Sequence, residues 1–70
     1  MTDPWTRGEP IAGVAIPYNV LVEVTRGPHR GVRGWTVGLD LRPDEPLYTV
    51  EREDRERDLE VSQSSLAIVG

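Results

Sequence analysis

Few residues of this chain are equipped for covalent chemistry. It holds one histidine, His29, with no cysteine and no lysine, so most activated nucleophiles are missing. Ser62, Ser64 and Ser65 fall in a polar stretch with no base placed for them. His29 sits between Pro28 and Arg30, without the further ligands a metal ion needs. The carboxylates of "EREDRERD" alternate with arginines and lack the glycine-centred spacing of a calcium loop. No catalytic residue, cofactor or metal is expected. What the residue types do offer is recognition: "RGPHRGVRGW" gathers Arg26, His29, Arg30 and Arg33 on a glycine-rich stretch, followed by Trp35.

The charge pattern sets this stretch apart. The 70 residues carry a net charge of -4, and every basic residue is an arginine. From Asp40 to Glu60 nine acids face four arginines, whereas Thr25 to Leu39 holds three arginines and no acid. The expectation is a dipolar molecule, its basic loop opposite an acidic half.

Those residues must be positioned by a small body. Seventy residues make one domain, and a chain this short buries only about 60% of the surface its unfolded form exposes. With no cysteine, disulfides are excluded as a staple. No apolar run is long enough to span a bilayer and no signal-peptide pattern opens the chain, so a cytoplasmic protein without membrane contact is expected.

Alternation begins at Tyr18. In "YNVLVEVT", Val20, Val22 and Val24 share one face. "GWTVGLDL" places Trp35, Val37, Leu39 and Leu41 together, and "LYTVERE" sets Tyr48 and Val50 on one side. "RPDEP" reads as a turn. "LEVS" and "SLAIV" supply two further short strands. Glu51 and Glu53 each precede an arginine by four residues, a helical ion-pair spacing. Nothing from Glu51 to Asp58 is apolar, however, so a charged hairpin loop fits better. The fold expected is all-β: about five strongly bent antiparallel strands closed into a small barrel. Its core is expected to hold Val20, Val22, Val24, Trp35, Val37, Leu39, Tyr48, Val50, Leu59, Val61, Leu66 and Ile68. Residues 1–17 form an N-terminal arm and residues 18–70 the barrel domain. The apolar run Ile11 to Ile16 is expected to dock on the barrel or to pair with another copy.

"VEVTRGPHRGVRGW" resembles the KOW motif of SH3-like small barrels, in which a valine-rich strand runs into Gly-x-x-basic-Gly-x-x-Gly. Gly27, Arg30, Gly31 and Gly34 match that spacing. The motif expects an aliphatic residue two positions after the last glycine. Thr36 stands there, with Val37 next, so a bulge or a one-residue shift is needed. The second half resembles the closing part of many bacterial SH3-like domains, implying a short helical turn at Gln63 to Ser65 and a last strand anchored by Leu66. The likeness extends to small stand-alone bacterial proteins, some of them associated with toxin–immunity or stress loci.

Two functions remain open. One is a non-catalytic module that binds a protein partner, in an adaptor or immunity-like role, as a monomer or weak homodimer. Its binding residues would be Arg26, His29, Arg30, Arg33, Trp35 and Tyr48, with Trp5 packing across an aromatic groove. The other, implied by the KOW resemblance, is an RNA- or DNA-binding domain that sets the 26–33 loop against phosphates. Three arginines on a chain of pI about 4.8 are a weak basis for the second.

Overall fold

A computed structural model of the protein describes residues 3–69, which form one five-stranded antiparallel sheet with two short 3-10 turns. The strands are β1 (Leu21–Val24), β2 (Arg33–Asp40), β3 (Leu47–Arg52), β4 (Leu59–Ser62) and β5 (Leu66–Ile68). Their order across the sheet is β4-β3-β2-β1-β5. The outermost strands β4 and β5 are joined only by the 3-10 turn Gln63–Ser65, the residues at which the resemblance implies a short helical turn. Laid flat, the outer strands of such a sheet would lie about 19 Å apart. A three-residue 3-10 turn advances only about 6 Å. The sheet must therefore roll up, and the expected small barrel is what this connectivity requires.

Inward-facing residues alternate in β1 (Val22, Val24), β3 (Tyr48, Val50) and β4 (Val61), and all five are buried. Val20, Leu39, Leu59 and Leu66 pack against them while keeping part of their surface. Three expected core residues differ. Val37 is only half-buried and stands outside the core cluster. Ile68 is 54% exposed on the edge strand and Trp35 is 38% exposed.

A change of phase in β2 explains Trp35. Thr36 pairs with Val50 and Gly38 with Thr49, so Val37 is an extra residue in the ladder. Before this bulge the inward positions are Gly34 and Thr36; after it, Leu39 lies opposite Tyr48. The apolar series Trp35, Val37, Leu39 thus straddles a switch of faces. Thr36 takes the core position, fully buried, and its hydroxyl donates to the Pro17 carbonyl at 2.7 Å while accepting from the Val20 N–H at 3.2 Å. Both polar capacities of the buried threonine are therefore used.

β1 begins three residues later than the alternation from Tyr18 implies. Asn19 adopts φ 60, a left-handed conformation that stops a strand, and its N–H reaches the Thr36 carbonyl at 2.7 Å. Upstream, the chain packs on the core. A 3-10 turn, Trp5–Arg7, ends at Gly8 with φ 79. It places Trp5 in the core beside Ile16, their exposures 2% and 4%. The Trp5 ring meets Tyr18 edge-on at 5.4 Å and Tyr48 at 6.0 Å. Ile11 and Val14 lie partly buried against the same cluster.

Gln63 ties these parts together. Its Oε1 accepts from the Tyr48 hydroxyl at 2.6 Å and from the Ala15 N–H at 2.9 Å, while Nε2 donates to the Gly13 carbonyl at 3.2 Å. One side chain thus joins the turn before β5, the core and the upstream segment.

Candidate functional site

Glycine shapes the loop between β1 and β2 in two different ways. Gly27 and Gly31 have φ 81 and 94, which L side chains rarely adopt. The Arg30 N–H donates to the Gly27 carbonyl at 3.1 Å, closing a tight turn with Pro28 and His29 at its tip. The Gly31 N–H then returns to the Val24 carbonyl at 2.8 Å. Gly34 has an ordinary φ but no room: a Cβ there would run into the Glu51 carbonyl and lie 2.8 Å from a Val50 methyl. This glycine lets β2 lie tightly on β3.

The turn leaves Arg26, His29 and Arg30 exposed, and neither arginine forms an ion pair among the described residues. Arg33 differs. Its Nε donates to Glu23 Oε1 at 2.8 Å across the β1–β2 ladder, in an exposed pair that is worth little to stability but directs the guanidinium. Two residues on, along the same outward face, Trp35 lies opposite Leu21 of β1 and Glu51 of β3.

The basic loop does not stand opposite the acidic half. Gly34 pairs with Arg52, and the Glu53 N–H donates to the Arg33 carbonyl at 3.0 Å. The acidic β3–β4 hairpin therefore adjoins the start of β2, where the basic loop ends. The expected separation of charge fails because an antiparallel meander brings alternate connections to the same end of the sheet.

Between Trp35 and this hairpin lies an open cleft of about 460 Å³, lined also by Glu51, Glu53, Glu56, Asp58 and Arg55. The hairpin is internally braced. Arg52 grips Asp54 along one guanidinium edge, Nε and Nη2 donating at 3.0 and 2.8 Å, and the Glu56 N–H adds a bond to Asp54 at 3.0 Å. These contacts hold the Asp54 carboxyl below its ordinary range. The remaining acids face the cleft without ion pairs among the described residues.

The expected binding residues thus separate. Arg33 and Trp35 share the outward face of β2, and Arg26, His29 and Arg30 are exposed on the loop that leads into that strand. Tyr48 belongs to neither: it is fully buried, and burial pushes its hydroxyl above the ordinary tyrosine value. Its strand phase, in step with Val50, points it inward. Trp5 is likewise a core residue and not the cover of a surface groove. Leu21 and the acids of the hairpin were not among the expected site residues. Their proximity depends on strand register, which local spacing does not encode.

Elsewhere, a second concavity of about 220 Å³ is walled by upstream residues, among them Trp5, Ile11, Val14 and Ile16. Ser64 donates to Glu45 at 2.8 Å, joining the last turn to the β2–β3 connection. Among the described residues there is no group of three or more histidine, aspartate or glutamate side chains arranged to hold a metal, and no helix long and apolar enough to cross a membrane. No family model matches the chain, and neither does any curated protein or solved structure.

Proposed function

We propose that this protein is a non-catalytic interaction module that binds a protein partner through the outward face of β2 and the loop before it. One observation carries the reading: an exposed tryptophan, Trp35, that lines an acidic cleft on a strand entered from a loop whose Arg26 and Arg30 are exposed and form no ion pair among the described residues. Tryptophan and arginine are the side chains most often decisive at protein interfaces. The surface is built on a glycine-shaped loop that allows close approach, and the ladder to β1 and β3 holds it in place. Local charge of both signs steers a partner and fixes its register. An adaptor or immunity-like role in the cytoplasm suits a small domain with such a surface.

The alternative is a KOW-like domain that sets Arg26, Arg30 and Arg33 against nucleic-acid phosphates, with His29 at the loop tip. The exposed loop favours it, and the acidic hairpin beside the loop opposes a polyanion. Affinity capture from the source organism separates the two, with wild-type protein and an Arg26→Glu/Arg30→Glu variant as baits. Retention of a discrete protein by wild type, lost in a variant with an unchanged far-UV spectrum, supports the module. Micromolar or tighter binding of labelled RNA or DNA, weakening steeply with salt and lost in the variant, overturns it in favour of the alternative.

A further inference from the structure

We infer that the Trp35 face is self-complementary and that a second copy of this chain occupies it, about a two-fold axis passing near Arg33 and Trp35. The inference rests on the reading of that face as the recognition surface and names its partner.

A two-fold interface places the same patch on both subunits, so the patch must carry both halves of every complementary contact. This patch does. Arg26 and Arg30 lie on the β1 side of β2, and the hairpin acids lie on the β3 side. Exposed Trp35 and half-buried Leu21 sit opposite each other between them. Rotation by half a turn about β2 sets each basic loop against the other copy's hairpin and brings the two indoles together.

The charge balance points the same way. Glu51 to Asp58 holds five acids and three arginines; the loop and Arg33 add three arginines, and Glu23 one acid. The patch is thus neutral, and the whole net charge of -4 lies on the rest of the chain. A polycation or a polyanion would meet like charge on half of this surface, whereas a second copy meets complementary charge on both halves. Repulsion between the remaining acidic surfaces is screened beyond about 10 Å at ordinary salt. A standard interface takes about 800 Å² from each partner, a minor share of the 4836 Å² this chain exposes.

Sedimentation equilibrium of the full chain from about 1 µM to about 1 mM tests the inference. Wild type should pass from monomer to dimer within that range. Arg26→Glu/Arg30→Glu and Glu53→Arg/Glu56→Arg should each weaken the dimer by about tenfold or more, because loop and hairpin then carry like charge. Mixing the two variants in equal amounts should restore dimer, since each loop again faces a hairpin of opposite sign. All four positions are exposed, and an unchanged far-UV spectrum checks the fold. Three results would each overturn the inference: wild type monomeric throughout, reversed variants that dimerise as wild type does, or a mixture that stays monomeric. A monomeric wild type whose captured protein is lost on reversing Arg26 and Arg30 would leave the interaction module standing, with a different protein on this face.

Discussion

The indole N–H of Trp5 donates to the Ile16 carbonyl at 2.9 Å, so a residue near the start of the chain closes the core of a barrel whose first strand begins at Leu21. Ile16, Tyr18 and Tyr48 surround the ring. Trp5→Ala would leave a large void and unpair that carbonyl, at a cost of about 3–5 kcal/mol. A small domain has little more than this to lose. The variant is therefore expected to be largely unfolded by far-UV and near-UV spectra at room temperature. A denaturation midpoint within error of wild type would show that Trp5 does not fill the core.

Thr36 offers a sharper test, because shape and polarity can be separated. Thr36→Val keeps the volume but leaves the Pro17 carbonyl and the Val20 N–H without their hydroxyl partner. A loss of about 1–3 kcal/mol is expected in urea denaturation. Thr36→Ser keeps the hydroxyl and should lose less. The reverse order would mean that packing alone selects threonine.

The glycines of the loop should respond differently to alanine. At Gly34 the obstacle is the backbone of β3, which cannot move without breaking the ladder, and Gly34→Ala should cost about 3 kcal/mol. At Gly27 no atom lies within 4 Å of the added Cβ. Only the positive φ opposes the change, at about 1–2 kcal/mol, and Gly27→Asn should cost less still. Chemical denaturation of the three variants gives the order directly.

How far these features could be read in advance depends on what each rests on. Val22, Val24, Tyr48 and Val50 were legible because strict alternation states which way a strand faces. The charged hairpin was legible from local composition, whereas the turn Gln63–Ser65 came only from the resemblance of the second half to the closing part of SH3-like domains. The face of Trp35 was not, since the bulge at Val37 reverses the phase and a threonine occupies the inward position. Trp5 lacked any periodic context, and only tertiary packing reveals its place. The basic loop was visible as a cluster in sequence; the acids beside it come from a strand two places along the meander, and only register brings them there.

The opposite connection supplies a pH-dependent marker. Asp40 has its carboxyl lowered from 3.8 to about 2, first by the guanidinium of Arg42 and then by the Arg42 backbone N–H. A depressed folded-state value contributes stability that is fully present above the unfolded value near 3.8 and is lost as pH falls through about 2. The pair is exposed, so its effect should be seen in the titration before it is seen in unfolding. In Arg42→Gln the Asp40 midpoint, followed by carboxyl NMR, should rise towards 3.8 but not fully reach it, since the backbone N–H remains. An unchanged midpoint would assign the depression to another cause.

The proposed recognition surface is tested most directly by the two tryptophan indole signals. In the labelled protein the Trp5 indole N–H is buried and bonded to Ile16, while the Trp35 side chain lies beside the cleft. Adding the protein captured by wild type, or, where that protein is a second copy, raising this chain's own concentration through its dimerisation range, should shift or broaden the Trp35 indole resonance and the amides of residues 26–35, leaving the Trp5 indole in place. Shifts confined to residues 5–17 or 41–46, with Trp35 unmoved, would contradict the assignment of this face.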